Sequence, residues 1–359
     1  MDVLISGAGI AGPALAFWLT RDGHQVTMVE RAPAPRPGGQ AVDFRGRPQL
    51  RVLEEMGLLQ PIKAAAEPPK PITILNRAGN PVSRLPAEAF SGDVEILRGD
   101  LSRLLREAAQ ADHIWDDTIT ALHNTGEAVE VTFARSTPRT YDLVVGADGQ
   151  NSIVRRLLWA KVPTRHLGMY GAIFETEQTH PDPVMYTVPG RCITLNGTRA
   201  ALDFASPEID IPDERAAIES AFQGIGWKVP ELLKQMRQAK DFYFSQAIQI
   251  QAPTYSQGRT VLLGDAAHAP GPGGMGTGLA VVGAYILAKE LRKNTPERAL
   301  ATYEARMRPY VETCQKQARG ADRFLVPAKR THIWMRNQIF RLVPPRLLNT
   351  SKAAEAISL

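Results

Sequence analysis

Residues 1–30 read MDVLISGAGIAGPALAFWLTRDGHQVTMVE, and the order of apolar, glycine and acidic positions in this stretch decides the architecture. Val3 to Ser6 is a short apolar run that stops at Gly7, which predicts a buried strand entering a tight turn. Gly12 to Thr20 follows with helical spacing, and Pro13 fits only a first helical turn, where its missing N–H breaks no bond. Gln25 to Val29 is a second strand, and Glu30 closes it. Gly7-Ala8-Gly9-Ile10-Ala11-Gly12 therefore stands between strand and helix, the setting in which this glycine spacing binds a dinucleotide. Gly7 permits the turn, Gly9 admits a pyrophosphate to the backbone, and Gly12 lets the helix pack closely. Ala8 and Ala11 complete the turn, whose helix N-terminus points N–H donors at an anion. The Glu30 carboxylate suits ribose hydroxyls and repels a 2′-phosphate, so FAD or NAD is expected rather than NADP, with Arg31 adjoining the same site.

The 359 residues, 44% hydrophobic and 22% charged, suffice for one large core or two joined ones. A net charge of +5 is spread along the chain with only a modest cluster near the end, so nucleic acid is not an expected partner. Cys192 and Cys314 lie far apart without metal-type spacing, which argues against a disulfide framework or a zinc site and for a cytoplasmic protein. No signal-peptide pattern opens the chain, and no apolar run is long enough to span a membrane.

Working outward, APAPRPGG at 32–39 is a long loop, because prolines remove donors and glycines loosen the backbone. Helices are expected at Arg47 to Met56 and Gly99 to Ala109, with a Pro-rich, strand-like insertion between them. Tyr141 to Val145 reads as a buried strand, Ser152 to Leu158 as a helix capped by Ser152 or Asn151. From Met169 to Ile250 the pattern is β-rich, interrupted by a helix near Glu214 to Phe222. Thr260 to Leu263 is another buried strand, and helices follow at Gly278 to Leu291, Pro296 to Lys316 and Arg330 to Leu342. The expected fold class is α/β, with a Rossmann-type dinucleotide domain built from 1–70, 95–160 and 252–300. An inserted β-rich mixed-sheet substrate domain would comprise 71–94 and 161–251, and 301–359 would form C-terminal helices, the basic stretch Lys329 to Lys352 docking by its apolar stripe Met335, Ile339 and Leu342 as a cover over the substrate entrance.

Two further stretches bear on the choice between FAD and NAD. DLVVGADG at 142–149 sets Asp148 and Gly149 at the carboxyl end of a strand, where open α/β sheets bind ligands. TVLLGDAAHAPGPGGMGTG at 260–278 delivers Asp265 from a strand and then runs through a glycine-proline loop, with Gly273, into a helix near Gly276 and Thr277. A helix N-terminus there would stabilise the negative charge of a reduced flavin, and Asp265 could bind ribityl hydroxyls. His268 follows, with a structural role favoured over that of a base.

In this order and spacing the three stretches resemble the class A flavoprotein monooxygenases, the group that includes para-hydroxybenzoate hydroxylase. GGQAVDFRG at 38–46, EILRGDL at 95–101, DFYFSQAIQI at 241–250 and VGAYILAKEL at 282–291 resemble the tetracycline destructases and their bacterial relatives. The resemblance implies that Asp148-Gly149 lies between the flavin and a visiting nicotinamide nucleotide, and that Arg98 and Asp43 approach the flavin. Arg36 would meet the flavin or that nucleotide. Thr277 and Val282 depart from the wider family's asparagine and aspartate, which limits what carries over about substrate.

The resemblance also implies a reaction. NADPH or NADH would reduce the bound FAD, and O2 would supply one atom to a polycyclic, phenolic or polyketide-like compound, tetracycline being one candidate. The cofactor carries the difficult step. Phe174, Met185 and Met275 are the candidate substrate contacts, and no general base stands out. A FAD-dependent reductase and a non-catalytic flavin-binding redox sensor are the competing readings. Oligomeric state is left open between monomer and dimer.

Overall fold

The computed structural model describes the chain except for residues 36–37, 67, 88–91, 160, 274 and 343–350, with only the backbone at 351–352. The expected opening forms as strand β1 (Asp2–Ser6), helix α1 (Ala11–Arg21) and strand β2 (Gln25–Glu30). Around them lies a 6-stranded sheet in the order Ser256–Gln257, Thr260–Leu262, Leu143–Gly146, β1, β2, Asp112–Trp115. All neighbours run parallel except the Ser256–Gln257 edge. Val3, Leu4 and Ile5 are fully buried, as are Leu143, Val144 and Val145, because helices cover both faces of such a sheet and leave no polar side for alternation. The link from Asp112–Trp115 to Leu143–Gly146 is a three-stranded antiparallel unit of Ile119–Asn124, Val129–Phe133 and Arg139–Tyr141.

The second sheet runs Arg191–Ala205, Thr164–Val188, Ile72–Leu75, Pro81–Leu85, with Tyr243–Ile250 also paired to Thr164–Val188. It is mixed, since Ile72–Leu75 lies parallel to its long neighbour. Segment Arg191–Ala205 reverses at Asn196-Gly197, where Gly197 has φ +58°, and Ala205 N–H donates to the Gly190 carbonyl at 2.8 Å. One face of this sheet is packed by Glu214–Phe222 and by Val229–Gln238, a helix beyond the single interruption expected in this region. The other face carries Met169, Met185, Cys192 and Ala247 under Val326.

The C-terminal helix Arg330–Leu342 docks differently from its sequence stripe. Arg336 and Phe340 are 5% exposed, whereas Met335, Ile339 and Leu342 are 50%, 43% and 77% exposed. Arg336 donates to the Phe324 carbonyl and to Thr187 Oγ1 at 2.9 and 3.1 Å, and Phe340 packs with Ile74 and Leu85 of the second sheet. The guanidinium finds hydrogen-bond partners and the phenyl ring finds a sheet edge, so this face wins over the aliphatic stripe. Beyond the helix, Ala353 and Ala354 return to the first core beside Gly46. Among the described residues no helix is long and apolar enough to cross a membrane.

Candidate functional site

The three motif segments meet at the carboxyl ends of the parallel strands. Gly7 has φ +108°, and a Cβ there would lie 2.5 Å from the Ala147 carbonyl oxygen, so only glycine lets the first turn touch the Asp148 segment. A Cβ on Gly12 would stand 2.0 Å from the Gly7 oxygen, which holds α1 against its own turn. No side chain caps α1, leaving its first amides available to an anion. Glu30 accepts hydrogen bonds from Ala8 N–H and Ala32 N–H, each at 3.0 Å, and so braces the glycine loop from the end of β2. Arg31 beside it is exposed.

Arg98 opens helix Arg98–Ala109, one residue earlier than the sequence suggests. Its Nη2 lies 3.4 Å from a Cβ built on Gly9, its stem runs along Gly39, and its charge acts on Asp265. In the same helix Ser102 Oγ donates to the Gly9 carbonyl at 2.7 Å and accepts from Arg106 Nη1 at 2.6 Å. These two supports of the glycine loop escaped the sequence reading, although both sit one helical turn apart on the face that begins with Arg98.

Asp148 Oδ2 accepts from Ile153 N–H at 2.7 Å and from Val154 N–H at 3.2 Å, while its Oδ1 is buried without a partner. Burial raises its pKa against those hydrogen bonds. Gly149 turns the chain at φ +78°, and Ser152 is the cap of Ile153–Leu158, accepting from Arg155 N–H at 2.9 Å. Arg155 is a further residue that the motif reading passed over. It is 8% exposed, donates to the Ala266 carbonyl at 2.8 Å and to the Gln150 carbonyl, and feels the charges of both Asp148 and Asp265. One buried cation thus joins the second and third motif segments.

Asp265 begins helix Asp265–His268, and its pKa is raised by burial against the opposing pull of Arg98 and Arg155. Its Oδ1 is 3.4 Å from a Cβ built on Gly276, the first residue of helix Gly276–Leu291, which starts two residues before the expected Gly278. That N-terminus has no side-chain cap either. Thr277 stands in its first turn, while Gly273 in the preceding loop has φ +73° and accepts from Gln317 Nε2 at 3.1 Å. Ala11 and Gly264 are in close approach, a Cβ on Gly264 falling 3.0 Å from that of Ala11, so the first and third segments also touch. Two uncapped helix starts, an arginine and two acids around close backbone turns fit a FAD molecule, whose pyrophosphate and reduced ring are anionic and whose sugar parts carry hydroxyls.

Other expected residues fall outside this cluster. Asp43 is ion-paired to Arg45 on the strand Ala41–Phe44. Arg36 lies outside the described residues. Phe174 is fully buried in the helix-covered core and faces away from the opposite side of its sheet. Met185 belongs to that opposite side, and Met275 immediately precedes Gly276–Leu291 in the first core, its Sδ 3.9 Å from Gln49 Nε2. His268 is 1% exposed against Tyr255, with neither ring nitrogen hydrogen-bonded among the described residues and its pKa lowered to about 4 by burial. It is neutral near pH 7.

A family model described as a FAD binding domain matches residues 1–195 and 213–318. The chain belongs to that family. An uncharacterized protein of Mycobacterium tuberculosis is 39% identical over 87% of this chain and 91% of its own. A flavin-dependent monooxygenase of Legionella longbeachae is 32% identical over 88% of this chain and 87% of its own. The crystal structure of tetracycline destructase Tet(55) superposes with a TM-score of 0.87 at 31% identity, covering 100% of this chain and 98% of that one. With these relatives, the site is that of a FAD-dependent monooxygenase of the class A flavoprotein type.

Proposed function

We propose that this monooxygenase draws electrons from NADPH or NADH and inserts one oxygen atom of O2 into a polycyclic, phenolic or polyketide-like small molecule, tetracyclines included. The observation that carries the reading is the meeting of Gly9, Arg98, Asp265 and Gly276 at one place, flanked by glycine loops that reach the second sheet. Gly7, Ala8, Gly9, Ala11, Gly12 and Glu30 would hold the adenosine and pyrophosphate parts of FAD. Arg98, Asp148, Gly149, Asp265, Gly276 and Thr277 would hold the riboflavin part. Bound FAD supplies the redox and oxygen chemistry.

The protein's own work is orientation and water exclusion. Gly38 abuts Arg199 of the second sheet and Gly271 abuts Leu167, so residues 161–251 with 71–94 would form the substrate domain over the flavin end. The C-terminal helix Arg330–Leu342 bridges Phe324 and that sheet, where it would border the substrate entrance. Cys192 and Cys314 are buried and free, in keeping with a reducing cytoplasm.

The test is oxygen uptake with purified holoenzyme. Tetracycline or a hydroxylated aromatic should stimulate NADPH or NADH oxidation together with O2 consumption, and the product should gain one oxygen in mass. Stoichiometric reduction of the compound without oxygen would instead identify a reductase, and no response to any compound would favour the sensor.

A further inference from the structure

One carboxylate on the second sheet has no neighbour among the described residues to neutralise it. Leu202 and Phe204 enter the helix-covered core, so Asp203 between them emerges on the opposite face. Its register partner is Gly171, followed by Ser245, and a Cβ on Gly171 would lie 2.4 Å from Asp203 Oδ1. The missing side chain makes the hollow in which the carboxylate lies.

Two loops of the flavin end bound this face. Arg199, on the same strand, has Nη2 2.4 Å from a Cβ built on Gly38. At the other side, a Cβ on Gly271 would lie 2.5 Å from Leu167 Cδ1. Neither nearby cation serves Asp203. Arg199 pairs with Glu175 at 3.1 Å and Asp241 at 3.5 Å, and Arg336 is held by Thr187 and the Phe324 carbonyl. Across the folded-back arm stands Cys192, whose thiol is pushed up to about 11 by burial, the charge of Asp203 adding to the effect and Arg336 opposing it. Among the described residues Asp203 makes no hydrogen bond or ion pair. Burial alone raises its pKa to about 7, which suits proton exchange near neutrality. An unpaired, half-buried carboxylate costs stability and is a candidate for a functional position.

We propose that Asp203 is the substrate-binding base: its carboxylate accepts the hydrogen bond of a phenolic or enolic hydroxyl and takes that proton. The substrate O–H bond breaks as the Asp203 Oδ–H bond forms, and the electron pair stays on the substrate oxygen. The resulting anion is richer in electrons and so better suited to receive an oxygen atom. The site therefore selects neutral, hydroxyl-bearing compounds and disfavours carboxylates, which would meet Asp203 as a like charge. The inference rests on the substrate class under Proposed function.

The test uses oxidised FAD-loaded protein, wild type and Asp203→Asn, with 4-nitrophenol, phenol and benzoate as probes, followed by flavin absorbance. Wild type should bind 4-nitrophenol with an affinity that varies between about pH 5 and 8, and the bound probe should show phenolate absorbance below its solution pKa. The variant, with its FAD content and near-UV circular dichroism unchanged, should bind about tenfold more weakly, without phenolate absorbance and with a flat pH profile. Benzoate should bind wild type poorly and the variant no worse. An identical pH profile in both proteins, or absence of phenol binding in wild type, overturns the proposal. Oxygen transfer plays no part in this assay, so failure of the monooxygenase reading appears separately, as absent substrate-stimulated oxygen uptake.

Discussion

At the flavin end, Glu30 accepts two backbone N–H groups, Asp148 accepts two more, and Arg155 feels the charges of Asp148 and Asp265, whereas on the second sheet Asp203 lies over Gly171 with no partner among the described residues. The first arrangement is a scaffold completed by the protein itself. It fixes backbone turns before any ligand arrives, which is what an anionic cofactor needs from amide donors. The second leaves its strongest acceptor unmatched, as a site does when the matching donor belongs to a substrate. On the proposal above, the two regions divide cofactor holding from substrate choice.

The largest effect should come from the scaffold. Gly12→Val places atoms where a Cβ already falls 2.0 Å from the Gly7 oxygen, and the protein should be recovered without bound FAD, or not folded, as read by flavin absorbance and thermal melting. Arg155→Ala removes the buried guanidinium that holds the Ala266 and Gln150 carbonyls, and should cost about 1–3 kcal/mol in urea unfolding at neutral pH, with FAD released earlier than in wild type.

Asp203→Asn sharpens the contrast by moving in the other direction. The folded pKa of Asp203, about 7, lies above the ordinary 3.8 of an aspartate. Its neutral form is therefore favoured in the folded state. Full stability is present below the unfolded value and declines as pH rises through the folded one. Wild type should lose a few kcal/mol between about pH 4 and 7, and the variant should lose less; parallel curves from denaturant unfolding would show that Asp203 is paired after all. The smallest effect belongs to the outward face of the C-terminal helix. Ile339→Ser should change stability by no more than about 0.5 kcal/mol, since Ile339 is 43% exposed while Phe340 beside it is buried.

The same contrast separates what the sequence specifies locally from what the fold assembles. Gly7, Gly9, Gly12 and Glu30 act through neighbours within one βαβ unit, and local spacing specifies that unit. Arg155 and Ser102 depend on which segments the sheet brings together, and neither carries a glycine-like mark of its own. Asp203 became visible only through its register with Gly171 and the reversal at Asn196-Gly197, although that dipeptide is a hairpin signal in its own right. Helix Val229–Gln238 had a legible pattern in Val229, Leu232 and Met236, all buried. The orientation of Arg330–Leu342 was not legible, because both of its faces carry apolar residues and the choice is made by nearby Phe324 together with Thr187 and Leu85, far away in the chain.

Oxygen transfer by the flavin scaffold and the second sheet together is tested most directly by isotope labelling. Holoenzyme supplied with NADPH or NADH, a tetracycline or phenolic substrate, and 18O2 in ordinary water should yield a product carrying one 18O atom by mass spectrometry. A product whose added oxygen comes from water, or one that has gained hydrogen and no oxygen, would contradict the account.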